Sequence, residues 1–301
     1  MDKELHIVDM SPAIYAGSFN KRAMISADVV PTADGWREMR IPCGGASMLF
    51  NIISQYLPRG EMCFVADRRP TIKQEIYPGY KGNRKHNPEV QINKEVAEYI
   101  LSDCGFTIYA RDGYEADDII ANIVRQQHDS YDRLYVHTAD SDLYLLVDDK
   151  VSILPATSKA KTVTRENYEY TVNSQRDTAY NTVVFDKFLR GDTGKNITAM
   201  EKNSQAVLRR AICPTPASLV RAGDFVFFLG FIKRFYPQLL DRATLFYPLP
   251  MDEQFVIGNN ESVERIKEWA YEIGNRKIQG KKGDLSKQFA ELLSRSLYID
   301  E

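Results

Sequence analysis

Carboxylates in this chain stand where short apolar runs end. Asp9 closes Leu5-His6-Ile7-Val8, Asp67 closes Phe64-Val65-Ala66, and Asp140 with Asp142 follows Tyr135-Val136-His137-Thr138-Ala139. Glu115, Asp117 and Asp118 come shortly after a further run, Phe106–Tyr109. Carboxylates drawn within a few ångströms of one another repel, and divalent cations make such a cluster tolerable. Donor sets made only of oxygen suit magnesium or manganese and not zinc. Taken singly, an Asp at a strand end commonly caps a helix, and acids in a first helical turn answer the helix dipole. Capping alone does not explain acids at four successive strand ends, nor the doubled acids Asp117-Asp118 and Asp140-x-Asp142.

For these acids to meet, the apolar runs must be parallel neighbours. Leu5–Val8, Met62–Ala66, Phe106–Tyr109, Leu134–His137 and Val151–Leu154 are each short enough for a buried parallel strand. Helical periodicity falls between them. Ala46–Tyr56 follows a Gly-Gly start, Ile92–Leu101 aligns Ile92, Val96, Tyr99 and Ile100, and Glu115–Arg125 aligns Ile119, Ile120 and Ile123. The rhythm predicts an α/β fold, a mostly parallel sheet with helices on both faces, whose ligands collect at the carboxyl ends of the strands. From Ser158 to Asp177 the composition is polar, predicting loops or an exposed hairpin. After about residue 200 the rhythm gives way to a helical portion, with helices expected at Asp224–Phe235, Glu261–Ile273 and Leu285–Leu297.

With 301 residues, 44% hydrophobic and 27% charged, the chain can bury a large core. Met1 to Met10 lacks a basic flank leading into an apolar stretch, and no apolar run reaches the ~18 residues of a membrane span. A cytoplasmic protein without membrane contact is expected. Cys43, Cys63, Cys104 and Cys213 are far apart, which argues for buried thiols rather than zinc ligands or disulfides. The net charge of −2 hides a segregation. From Arg68 to Lys94 seven basic residues (Arg68, Arg69, Lys73, Lys81, Arg84, Lys85, Lys94) face only Glu75 and Glu89, whereas Asp112 to Asp118 holds four acids. Cations to hold phosphates beside carboxylates to hold metal are what a metal-dependent enzyme acting on a polyanion needs. Two solvated faces of opposite sign would give the same composition.

Six segments in order resemble the motif series of the 5′-nuclease family, the PIN-like group of DNA polymerase 5′-nuclease domains, flap endonucleases and bacteriophage RNase H enzymes. They are Ile7-Val8-Asp9, Phe64-Val65-Ala66-Asp67, Tyr77-Pro78-Gly79-Tyr80-Lys81-Gly82-Asn83-Arg84, Gly113-Tyr114-Glu115-Ala116-Asp117-Asp118, Thr138-Ala139-Asp140-Ser141-Asp142-Leu143 and Gly191-Asp192-Thr193-Gly194-Lys195-Asn196-Ile197. The resemblance implies a first magnesium or manganese site from Asp9, Asp67, Glu115 and Asp117, with Asp118 in support through water. It implies a second from Asp140, Asp142 and Asp192, the two ions lying about 4 Å apart. It further implies that Lys81 and Arg84, at the base of a basic arch over about 68–94, contact the scissile phosphate, that Tyr80 stacks on a terminal base, and that Tyr77 and Lys85 join the substrate contacts. A catalytic core over 1–198 and a divergent helical region over 199–301 complete the expected organisation.

Two departures from the family pattern stand out. Lys195 occupies the place of a second acid in the last motif, so a cation replaces one ligand of the second site and is expected either to weaken that ion's binding or to contact Asp192 or the substrate phosphate directly and stand in for part of that ion's charge. Beyond it, Ala199-Met200-Glu201-Lys202-Asn203-Ser204 lacks the glycines of a helix-hairpin-helix, leaving Arg209, Arg210, Arg276, Lys277, Lys281 and Lys282 as candidate duplex contacts. The expected activity is cleavage of DNA at 5′ ends, flaps or junctions, and of RNA–DNA hybrids, alongside replication proteins. The competing expectations are a nuclease-fold protein that binds such DNA without cutting it well, and a small PIN-type RNase of single strands, which the basic insert disfavours.

Overall fold

The computed structural model describes residues 2–20, 23–32, 35–157, 162–167, 182–212, 225–258 and 261–275. They form two compact units, one of residues 1–10, 59–86 and 109–258, the other of 11–58, 87–108 and 259–301. No described helix is long and apolar enough to cross a membrane.

The first unit is built on a sheet of five strands in the order β5-β4-β1-β6-β7: β1 (Glu4–Asp9), β4 (Glu61–Val65), β5 (Ile108–Tyr109), β6 (Arg133–Thr138) and β7 (Val151–Pro155). β1 runs parallel to both β4 and β6, and β6 runs parallel to β7. The register sets Asp9 opposite Val65 and Val8 opposite His137, so the chain leaves three neighbouring strands at one edge, just before Asp67 and Asp140. Central β1 is buried on both faces from Leu5 to Asp9, with Leu5, Ile7 and Val8 apolar, as a covered parallel strand requires. α5 (Ala116–Gln127) packs on this sheet through Ile119, Ile120, Ile123 and Val124, all buried, each isoleucine contributing about 2 kcal/mol. Asn122 anchors the same helix further along the chain, donating to Leu249 O at 2.7 Å and accepting from Met251 N at 3.1 Å.

α3 (Thr71–Ile76), α6 (Thr182–Arg190), α7 (Lys202–Ile212), α8 (Phe225–Phe235) and α9 (Leu240–Phe246) complete this unit. Phe185, Phe188, Phe228, Phe246 and Tyr247 pack as one aromatic cluster with ring centroids 4.1 to 6.4 Å apart. The helical character expected after residue 200 is present. The helix expected at 285–297 lies outside the described residues, as does most of the polar stretch 158–177. Of that stretch, Val163 pairs with Ile153 in an antiparallel bridge.

The second unit holds α1 (Met10–Ser18, from its second residue), α2 (Gly44–Tyr56), α4 (Pro88–Asp103), α10 (Val263–Asn275) and an antiparallel hairpin of β2 (Met24–Thr32) and β3 (Gly35–Pro42). The hairpin is unexpected from the sequence. Pro31 and a register shift between Asp28 and Val30 break the alternation that would announce it. Gly17 and Gly44 allow two backbones to touch, since a Cβ on Gly17 would lie 2.2 Å from Gly44 O. Asn87 caps α4 ahead of Pro88, accepting from Glu89 N at 3.0 Å. Asp103 pairs with Arg265 and accepts from Trp269 Nε1 at 2.7 Å, fastening α10 to α4.

Two imidazoles sit inside the sheet, with His6 Nδ1 3.0 Å from His137 Nε2. Burial, reinforced by Arg59, pulls His6 down to about 4, and burial, reinforced by His6, pulls His137 down to about 3. An unfolded histidine takes up its proton near pH ~6.5. The stability drawn from this pair is therefore complete above that pH and is lost as pH falls toward 4. Thermal unfolding should show a loss on the order of 2 kcal/mol between neutral and mildly acidic pH, and His137→Gln should flatten that dependence. An unchanged slope in the variant would contradict the assignment.

Candidate functional site

The edge set up by β1, β4 and β6 gathers the carboxylates. Asp9, 3% exposed, accepts from Thr138 Oγ1 at 2.8 Å, which ties the end of β1 to the end of β6. Asp67 Oδ1 accepts from Ala116 N at 2.8 Å at the start of α5. Asp140 Oδ1 accepts from Asp142 N at 2.9 Å and opens a 3-10 turn over Ser141–Leu146. Asp192 Oδ1 accepts from Gly194 N at 2.7 Å in a second such turn, Thr193–Lys195. Capping and clustering are thus joined in Asp67, Asp140 and Asp192: the backbone N–H that each accepts also fixes where its other oxygen points.

Asp117, Asp140 and Asp142 come together, each offering one carboxylate oxygen, with those atoms within 4.8 Å of one another. Among the described residues nothing donates a hydrogen bond to the Asp117 carboxylate. Its burial and the neighbouring Asp140, Asp9 and Glu115 hold its carboxyl well above the usual range, against the pull of Lys81. An acid strained in this way by like charges is one that a divalent cation would relax, and its oxygen-only surroundings suit a hard ion.

Glu115 and Asp118 have a different setting. Lys73, 2% exposed, donates to Glu115 Oε2 at 2.8 Å and to Asp118 Oδ1 at 2.9 Å. Lys81 Nζ bonds the other Glu115 oxygen. Burial would raise the Glu115 carboxyl, but Lys73, Lys81 and Lys195 outweigh it and hold it well below the usual range. Asp118 is fully buried, accepts from Leu249 N at 2.8 Å through Oδ1, and closes the N-terminus of α5 by accepting from Glu115 N at 3.0 Å. Its two oxygens are thereby committed to Lys73 and to backbone.

The segment 77–84 is locked to the segment 191–197. Lys81 N donates to Lys195 O at 3.1 Å, Asn83 Nδ2 to Thr193 O at 2.8 Å, and Asn196 Nδ2 to Gly79 O at 2.9 Å. Lys81 and Asn196 both take left-handed backbone conformations to make these contacts, at φ 54° and 59°. Gly191 before them has φ 80°, and a Cβ there would lie 2.4 Å from Ile197 O.

Tyr80, expected to stack on a base, is instead fully buried, and its hydroxyl donates to Glu115 Oε2 at 2.8 Å. The phenol satisfies a carboxylate that would otherwise be costly to bury, so the ring faces inward. Tyr77 is the exposed aromatic of this stretch, 37% accessible and lying over Gly79. Arg84 and Lys85 are exposed. Over 68–86 the basic segment is coil, the six residues of α3 and turns, and Pro88 already begins α4. Arg276, Lys277, Lys281 and Lys282 lie outside the described residues, and Arg209 and Arg210 are described only as part of α7.

Two cations escaped the sequence reading. Lys73 was one of many in a basic run, and only the turn of α3 sends it inward. Lys187 interrupts the apolar surface of α6 made by Val184, Phe185, Phe188 and Leu189, and a lone cation beside such a stripe was the available signal. Its ammonium bonds Asp142 Oδ1 and lies 3.7 Å from Asp192 Oδ2.

The family described as "5′-3′ exonuclease, N-terminal resolvase-like domain" matches residues 4–175. DNA polymerase I of Mycobacterium leprae is 31% identical over 166 residues, which span 51% of this chain and 17% of that protein. A 5′-3′ exonuclease of Aquifex aeolicus is 26% identical over 187 residues, 62% of each chain. The matches therefore span less than two thirds of either relative. Among solved structures, the bacteriophage T5 D15 flap endonuclease in a pseudo-enzyme-product complex with DNA and metal ions aligns with a TM-score of 0.50 at 18% identity, covering 91% of this chain and 99% of that one. Human GEN1 in complex with Holliday junction DNA also gives 0.50, at 15% identity, covering 97% and 71%. Both share this fold. By its matched domain and the order of its motifs, the chain belongs to the 5′–3′ exonuclease family.

Proposed function

We propose that this protein is a divalent-metal-dependent nuclease that hydrolyses phosphodiester bonds of DNA at 5′ ends, flaps or junctions, with RNA–DNA hybrids as further substrates. The observation that carries this reading is the approach of Asp117 and Asp140 oxygens to within 4.8 Å at the carboxyl edge of the sheet, with Asp9 beside Asp117. Asp9, Asp67, Asp117 and Asp140 would hold a magnesium or manganese ion there. Such an ion supplies, when bound, neutralisation of phosphate charge and acidification of a water.

The chain's own groups do the rest. Lys81, half-buried and paired with Glu115, presents fixed positive charge where phosphate charge develops, with its backbone held by Lys195 O. Glu115 and Asp118 keep Lys73, Lys81 and the start of α5 in place. Arg84 and Lys85, exposed after this turn, would hold the neighbouring phosphates, and Tyr77 offers the ring on which a base could stack. In this reading residues 1–198 carry the chemistry and 199–301 a helical region of separate use, working in the cytoplasm beside replication proteins. The DNA-bound flap endonuclease and junction-bound GEN1 structures support the substrate class. A second reading, DNA binding with little cleavage, draws on the two lysines that contact Asp142.

Cleavage of 5′-labelled flap, nicked, single-stranded and hybrid substrates should stop in EDTA and return with magnesium or manganese. Cleavage that persists in EDTA contradicts the metal reading, and tight binding without cleavage in any metal favours the second. Asp117→Asn should lower turnover by about 100-fold or more while flap affinity stays within a few-fold, because it removes a metal ligand and no DNA contact. Lys81→Ala should lower turnover and also flatten the salt dependence of binding by a slope of about one. Wild-type turnover in Asp117→Asn would remove that residue from the site.

A further inference from the structure

Asp142 and Asp192 do not fit a second divalent ion. Both oxygens of Asp142 are taken by ammonium groups, Oδ2 by Lys195 Nζ at 2.8 Å and Oδ1 by Lys187 Nζ. Lys187 also reaches Ser141 Oγ at 3.4 Å and lies 3.7 Å from Asp192 Oδ2, so it bridges the two carboxylates. Lys195 is 6% exposed, with its ammonium 5.5 Å from the centre of the Phe246 ring. Neither lysine is a surface cation that happens to face an acid.

We infer that Lys187 and Lys195 permanently replace a second divalent ion, so that this chain works with a single exchangeable metal on the side of Asp117 and Asp140. The charges support the substitution, since two ammonium groups carry the charge of one divalent cation. The covalent framework supports it as well. Lys187 comes from α6 and Lys195 from the 3-10 turn at 193–195, while Asp142 lies in the turn that follows β6, so the pair joins three segments that an exchangeable ion would join only when bound. Lys195 O also accepts from Lys81 N, which places the same residue behind the backbone of the phosphate-facing lysine. Lys195 is thus a built-in replacement: of the two expectations for it, a weakened second site or a cation standing in for that ion's charge, its contacts favour the second, made through Asp142 rather than Asp192.

This inference rests on the nuclease reading, and metal stoichiometry separates the two. The full chain would be titrated with Mn2+ alone, bound ion being counted by electron paramagnetic resonance, and flap cleavage would be followed over the same range. Wild type should bind about one Mn2+ per chain, with cleavage rising without cooperativity. Lys187→Ala combined with Lys195→Asp should bind about two, because it restores an acid and frees both Asp142 oxygens. Wild type that cleaves while binding two ions overturns the inference and leaves the nuclease reading standing. Wild type that binds no Mn2+ and cleaves nothing overturns both. The wild-type count decides the matter even where the double variant does not fold.

Discussion

Carboxylates crowded at one edge of a parallel sheet repel, and the rest of this structure is organised by how that repulsion is met. Asp9, Asp67, Glu115, Asp117, Asp118, Asp140, Asp142 and Asp192 reach the edge from separate stretches of chain. Lys73, Lys81, Lys187 and Lys195 reach it too. The lysines are distributed unevenly. Glu115 and Asp118 share Lys73, and Asp142 has two ammoniums, whereas Asp117 is left among acids with its carboxyl pushed up. The imbalance divides the cluster into a part compensated by lysines and a part, around Asp117, that in the proposed reading a divalent cation would relax.

The same residues carry the architecture. Asp67, Asp140 and Asp192 each accept a backbone N–H at the start of a helix or turn, and Thr138 fastens Asp9 to the neighbouring strand. Buried ion pairs seldom add much net stability, but removing one partner leaves a charge stranded, at a cost of about 3–5 kcal/mol. The interlocked pairs therefore fix positions more than they add stability. The three hydrogen bonds between 77–84 and 191–197 extend that order to the segment carrying Tyr77, Lys81 and Arg84.

Much of this was legible in the sequence, for identifiable reasons. The buried parallel strands β1, β4 and β6 are short and mostly apolar, and each runs into an acid, Asp9, Asp67 or Asp140, so three strand ends and their carboxylates could be read directly. α5 announced itself through Ile119, Ile120 and Ile123. What could not be read depended on contacts between distant residues. Tyr80 beside Lys81 reads as a surface aromatic until Glu115, 35 positions away, is found to accept its hydroxyl. Lys73 and Lys187 look like ordinary cations until their helices turn them inward. The hairpin of β2 and β3 was hidden by its bulge and by Pro31.

In the proposed arrangement a solution cation lies beside Asp117 and Asp140, and lysines take a cation's place at Asp142. Crystals grown with Mn2+ and measured for anomalous scattering would test it most directly. The predicted result is a peak beside Asp117 and Asp140, with Lys187 and Lys195 still bonded to Asp142 and no peak between Asp142 and Asp192. A peak between those two residues with the lysines displaced, or none beside Asp117, would contradict it.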